Sequence, residues 1–216
     1  MNITIIKKNI KNIYLKILSK KEIILTVPLN YSDDLINKIL VEKKSWIENK
    51  LSLFEEKNPN LVYFFGNPLN IILTSSKEEK VILKDSNLYI YTKDIKNEFQ
   101  HKNLINDWLI KNSLPIIEKL TNKYLSLTNL SINKITIKNT RSQWGSCNYN
   151  TKNISLSSKL IHYPKEFAEY VILHELSHLI YPHHQKEFYD YIGQYMPDYK
   201  ERIKIGKNKK YLCYTN

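Results

Sequence analysis

The sequence predicts an α+β protein in two parts: an N-terminal antiparallel, β-rich unit with a helix over residues 1–93, then a helical domain with a small sheet over 94–216. Three observations predict it. The first 30 residues alternate apolar and polar with the period of half-buried strands. Four further strand-like runs fall between residues 61 and 91, and from Asp94 the apolar spacing becomes helical. At 216 residues, with 42% hydrophobic and 12% aromatic content, the chain is long and apolar enough to bury a core.

Each element follows from its residues. Residues 3–6, then Ile13, Leu15 and Ile17, then Ile23, Leu25 and Val27 mark three strands closed by Pro28. Ser32 is placed to cap a helix, with Asp33 and Asp34 at its positive end. Leu35, Ile36, Ile39, Leu40, Trp46, Ile47, Leu51 and Phe54 form its apolar stripe, and Asn58-Pro59-Asn60 stops it. Short strands are expected at 61–65, 70–73, 81–84 and 88–91, with a turn at 84–87. Ile95, Phe99, Leu104, Ile105, Trp108 and Leu109 begin a helix that Ile116, Ile117, Leu120 and Tyr124 continue, kinked or divided at Pro115. Strands Lys134–Lys138 and Asn153–Ser157 flank the loop NTRSQWGSCNYN. The second of these is a candidate edge for pairing with an extended peptide, or simply completes the sheet.

Composition narrows the function classes. No apolar run can span a bilayer, and the N-terminus turns charged after six residues, too soon for a secretory signal. Two cysteines, Cys147 and Cys213, are too few for a disulfide-stapled secreted protein, so the expected compartment is the cytoplasm. The net charge of +12 invites nucleic acid as a partner, yet only two of the 33 basic residues, Arg141 and Arg202, are arginine. Lysine is spread along the whole chain together with Asn and Ile, as a compositional bias would spread it.

The chemistry is concentrated in YVILHELSHLIYPHH, residues 170–184, which holds four of the six histidines. Pro164 suits the first turn of a helix running through it. At 3.6 residues per turn His174 and His178 share one face, able to bind one Zn²⁺ and leave further positions for a third ligand and water. Glu175 sits about 100° round the helix, the position of a general base. The chance expectation for H-E-x-x-H in this composition is about 0.01 matches. Pro182 should end the helix at Tyr181, and Phe188, Tyr191, Ile192 and Tyr195 define the next one. Either His183 or His184, at its entrance, can supply the third ligand; residue reasoning does not separate them. Arg141, Ser146, Tyr181 and Arg202 are candidate substrate contacts, while Cys147 reads as a small packing residue.

Trp144-Gly145-Ser146-Cys147, the strand that follows, Pro164, the run HELSHL from His174, and His184 after five intervening residues stand in a specific order. Glu187-Phe188 and Pro197-Asp198-Tyr199 continue it, and Trp46-Ile47 falls late in the first helix. In this order and spacing the sequence resembles the YgjP-like metallopeptidases, relatives of SprT-like and minigluzincin-type zinc proteins. The resemblance is strong over residues 135–205 and general over the first 93. It implies a zincin-like second domain built on the HExxH helix, one zinc held by His174, His178 and His184, and Glu175 as base. It also selects His184 over His183. Two departures stand out: His183 replaces an asparagine, and Gln143 an arginine for which Arg141 is the nearest substitute.

The resemblance implies a peptide or protein substrate. An alternative is nucleoside triphosphate pyrophosphatase activity, under which Arg141 and the lysines would bind phosphates and Mg²⁺ would join or replace zinc. A second is a nucleic-acid-associated module with structural zinc, which fits three ligands and a poised glutamate less well. No membrane partner is expected, and oligomeric state is not legible.

Overall fold

A computed structural model describes residues 2–19, 22–52, 58–140 and 142–212. Those residues form an α+β fold with ten strands, six α-helices and two 3-10 helices, in three small mixed sheets. Phe54, Arg141 and Cys213 lie outside them. The chain divides into two compact units, Met1–Lys57 and Asn58–Asn216.

The first unit is a three-stranded sheet with two helices. Strands β1 (Asn2–Lys8), β2 (Tyr14–Ser19) and β3 (Glu22–Pro28) run in the order β1-β3-β2, with β1 parallel and β2 antiparallel to the central β3. The alternation of β3 buries Ile23, Leu25 and Val27. Ser32 caps helix α1 (Asp33–Glu42) by accepting from the Leu35 N–H at 3.3 Å. The expected single helix is two: Lys43, at φ −89° and ψ 0°, separates α1 from α2 (Lys44–Ser52).

The second unit opens with strands β4 (Leu61–Phe64), β5 (Asn67–Ser75), β6 (Lys80–Lys84) and β7 (Asn87–Thr92), in the order β4-β5-β7-β6. The expected boundary at residue 93 falls inside this unit. The reason lies in the backbone of the β4–β5 turn, which docks onto the 3-10 helix Ser158–His162. The Phe65 and Gly66 N–H groups donate to Ile161 and His162 carbonyls at 2.7 and 3.2 Å, and His162 Nδ1 donates to the Tyr63 carbonyl at 2.9 Å. Both turn residues have positive φ, 47° and 82°, and a Cβ on Gly66 would meet Pro164 Cγ at 2.9 Å.

Helix α3 (Glu98–Thr128) is one 31-residue helix; Pro115 does not divide it. A face repeating at Ile105, Leu109, Ser113, Ile117, Thr121, Tyr124 and Thr128 is buried, and that packing outweighs the one missing helical bond. The buried Thr121 and Thr128 hydroxyls donate back to the Ile117 and Tyr124 carbonyls at 2.7 and 2.6 Å. Strands β8 (Lys134–Lys138), β9 (Gly145–Asn148) and β10 (Asn153–Ser157) form the third sheet in the order β8-β10-β9. The candidate edge strand 153–157 is therefore the centre of its sheet, and β8 and β9 are its edges.

Helices α4 (Lys165–Ser177), α5 (Lys186–Tyr195) and α6 (Tyr199–Gly206) complete the unit. Glu169 of α4 ties three helices together. It accepts from Lys123 Nζ of α3 at 2.6 Å and from the Arg202 guanidinium of α6. Burial pushes Glu169 up, but the hydrogen bonds from Lys123 and Arg202 outweigh it and hold the carboxyl below its ordinary value. A depressed carboxyl stabilises the fold above its unfolded pKa and loses that contribution as pH falls through the folded one. The melting temperature is thus expected to drop on acidification below about pH 4.5, the ordinary value, and to drop less in Glu169→Gln, as a thermal melt series would show.

Candidate metal centre

Helix α4 is buried on most of its circumference, through Phe167, Ala168, Val171, Ile172, Leu173 and Leu176. Its remaining face, with Tyr170 and His174, opens on a cleft of about 730 Å³. The helix stops earlier than Pro182 predicts, with His178 as its C-cap. The turn after it is closed by Leu179 N–H to Leu176 O at 3.0 Å and Tyr181 N–H to Ser177 O at 2.9 Å. This turn brings His184 back over the end of α4.

Three imidazoles meet there. One ligand atom from each of His174, His178 and His184 lies within 4.8 Å of the others. His174 Nε2 and His184 Nε2 are 3.1 Å apart. Ring centroids are separated by 4.9 Å for His174–His178, 4.9 Å for His174–His184 and 4.7 Å for His178–His184. All three rings rest on Phe188 of α5, at 4.9, 4.8 and 4.9 Å, and Phe188 is fully buried.

Partners on the far side orient the rings. His178 Nδ1 donates to the Tyr181 carbonyl at 2.9 Å, which leaves Nε2 as its free ligand atom. Tyr170 Oη lies 3.3 Å from His174 Nδ1. Burial, then the neighbouring His178 and His184, lowers the His174 pKa to about 3. Burial, then His178 and His183, lowers that of His184. Both shifts favour the neutral ring, the form that binds a metal ion. Glu175, next to the cluster and 5% exposed, is pushed up to about 7 by burial.

The other residues singled out in the sequence fall as follows. Ser146, on β9, and Gln143 line the cleft. Arg141 lies outside the described residues. Tyr181 does not line the cleft: its ring packs on Tyr191 and His183, and its contribution is the carbonyl that holds His178. Arg202 does not line it either, its guanidinium being taken up by Glu169, by Asp198 at 2.9 Å and by the Glu166 carbonyl at 3.3 Å. His183 stands outside the cluster; its Nδ1 accepts from the Gln185 N–H at 3.4 Å, the bond an asparagine side chain makes to the residue two further on. The Cys147 thiol is pushed up to about 11 by burial and by the nearby Glu175 charge, which keeps it protonated. Sequence reasoning missed Tyr170 as a partner of His174, although it precedes it by one helical turn, and it missed Phe188 as the common floor.

A family model described as YgjP-like, metallopeptidase domain, matches residues 11–207. The chain belongs to the YgjP-like metallopeptidase family. It is accordingly a metal-dependent hydrolase of the peptidase kind, and zinc is the usual metal of such proteins. Two solved structures resemble part of this YgjP-like chain. One is the metallopeptidase zymogen of Pyrococcus abyssi abylysin, at 19% identity over 40% of this chain and 87% of that one, with a TM-score of 0.37. The other is the metallopeptidase zymogen of Methanocaldococcus jannaschii jannalysin, at 27% identity over 40% and 92%, with a TM-score of 0.35. Comparison with curated proteins gave no match. Among the described residues no helix is long and apolar enough to cross a membrane.

Proposed function

We propose that the chain is a zinc-dependent peptidase in which His174, His178 and His184 hold the ion and Glu175 is the general base. The convergence of three imidazoles on one point carries the reading. Tetrahedral zinc with bonds of about 2.0–2.1 Å sets neighbouring ligand nitrogens about 3.3 Å apart, and the His174–His184 nitrogen pair stands at 3.1 Å. An all-nitrogen donor set suits zinc rather than Mg²⁺, which takes oxygen ligands. Three protein ligands rather than four suit a catalytic rather than a structural ion.

Zinc bound there supplies Lewis acidity and lowers the pKa of water to about 7. Glu175 takes the proton of the attacking water and returns it to the leaving nitrogen, for which a carboxyl near neutrality is well matched. The outer edge of β9 offers backbone N–H and C=O groups to an extended peptide, with Ser146 as a further substrate contact. Lys207 is the one lysine or arginine among the described residues that line the cleft. A triphosphate calls for several such cations, so we favour peptide over nucleotide.

Metal analysis of the purified chain is expected to find about one zinc, lost in His184→Ala. A quenched fluorescent peptide should be cleaved, with cleavage stopped by a chelator and restored by zinc, while UTP stays intact. Pyrophosphate release from UTP without proteolysis would reject the reading. Tyr170→Phe, which frees His174 Nδ1, is expected to weaken zinc about 10-fold, measured by competition with a zinc indicator.

A further inference from the structure

Among the described residues the Glu175 carboxylate has no hydrogen-bond or ion-pair partner, although the residue is 5% exposed. No polar partner fixes the carboxylate, so packing must. The surface it packs on is the backbone of Gly145. A Cβ built on Gly145 would lie 2.6 Å from Glu175 Oε1, 2.7 Å from Cγ and 2.9 Å from Cδ. All three separations are far inside van der Waals contact.

The glycine is not there for its conformational freedom. Gly66 is the described glycine with positive φ, and Gly145 sits in ordinary extended backbone, paired with Leu156. Any L-residue fits that backbone; what does not fit is a side chain. The strand itself is held in place here, by the pairing of Ser146 with Ser155 and Cys147 with Ile154 after Gly145 and by Trp144 before it. The Trp144 carbonyl accepts from the Ser157 N–H at 2.8 Å, and the Trp144 ring packs on Tyr163 and Phe167 at 4.8 and 5.1 Å. If a Cβ were added, the carboxylate rather than the strand would move.

We propose that Gly145 is a positioning residue whose missing side chain seats the Glu175 carboxylate directly against the edge strand β9. The inference rests on the reading of Glu175 as the general base and of β9 as the strand that pairs with the peptide. Base and substrate then share one strand as their common reference, so the distance between carboxylate and scissile bond is set by a single contact. A displacement of about 1 Å at such a group costs on the order of 100-fold in rate.

The test is a double-mutant cycle on the zinc-loaded full chain, read as kcat and KM on a quenched fluorescent peptide, with zinc content and melting temperature measured alongside. Gly145→Ala is expected to keep zinc, fold and KM and to lower kcat about 100-fold. In a Glu175→Gln background it is expected to lower the residual rate no further, because the group it displaces is already inactive. Full kcat in Gly145→Ala would overturn the inference, as would loss of zinc or fold, or an equal loss in both backgrounds. A Glu175→Gln enzyme with undiminished activity marks the different failure, that of Glu175 as base.

Discussion

Glu175→Gln is expected to lower kcat by about 10³-fold while zinc stays bound at one per chain. The substitution removes the ability to take a proton and changes almost nothing else. Glutamine has the shape of the protonated acid, so it fills the space against Gly145 as glutamate does. Burial already raises the carboxyl to about 7 and so opposes its charge, and the neutral amide carries no such penalty. His174 and His178 keep their far-side partners, Tyr170 and the Tyr181 carbonyl, because the substitution alters neither. Steady-state kinetics with metal analysis separate the outcomes. A retained rate would move the proton transfer to another group, and a lost metal would make Glu175 part of the binding site rather than the chemistry.

The second large effect is expected from Phe188→Ala. Phe188 is fully buried and lies under all three imidazoles within 4.9 Å of each ring. Truncating a buried phenylalanine costs about 3–5 kcal/mol through lost burial and the cavity left behind. Here the cavity opens directly below the ligand rings, so they lose the surface that holds them parallel or edge-on. Zinc affinity is expected to fall by more than about 100-fold, beyond the loss from one orienting partner. Phe188→Leu keeps much of the volume and should lose roughly half as much stability. Chemical denaturation and zinc competition measure the two effects; unchanged zinc affinity in Phe188→Ala would show that the rings are fixed from their far sides alone.

Several of these features were legible before any coordinates. His174 and His178 fall on one face because a four-residue step nearly completes a helical turn, and the strands other than β9, whose residues read as part of a loop, follow from the apolar pattern. Other features left no mark in the residue pattern. Alternation does not carry strand direction, so the parallel pairing of β1 with β3 and of β5 with β7 was not readable. The placing of residues 61–92 with the second unit depends on backbone bonds from the Phe65–Gly66 turn, which any residue types would offer. Pro115 signals a break that the packing of α3 overrides. The edge position of β9 came from sheet order, and Tyr170 was hidden among sixteen tyrosines. The function of Gly145 is to be small, and that shows only once Glu175 is placed beside it.

The early end of α4 at His178 has a further consequence. His174 belongs to the helix, His178 caps its end, and His184 lies in the segment that leads into the next one. An ion joined to all three would act as a cross-link, closing a loop of eleven residues between two helices that the chain otherwise connects through a proline turn. Closing a loop of that length removes chain entropy worth about 3 kcal/mol, on the scale of a short disulfide. The same bonds that prepare the chemistry would therefore staple the turn from His178 to His184. Amide hydrogen exchange in that stretch should then slow when zinc is added, before any substrate is present.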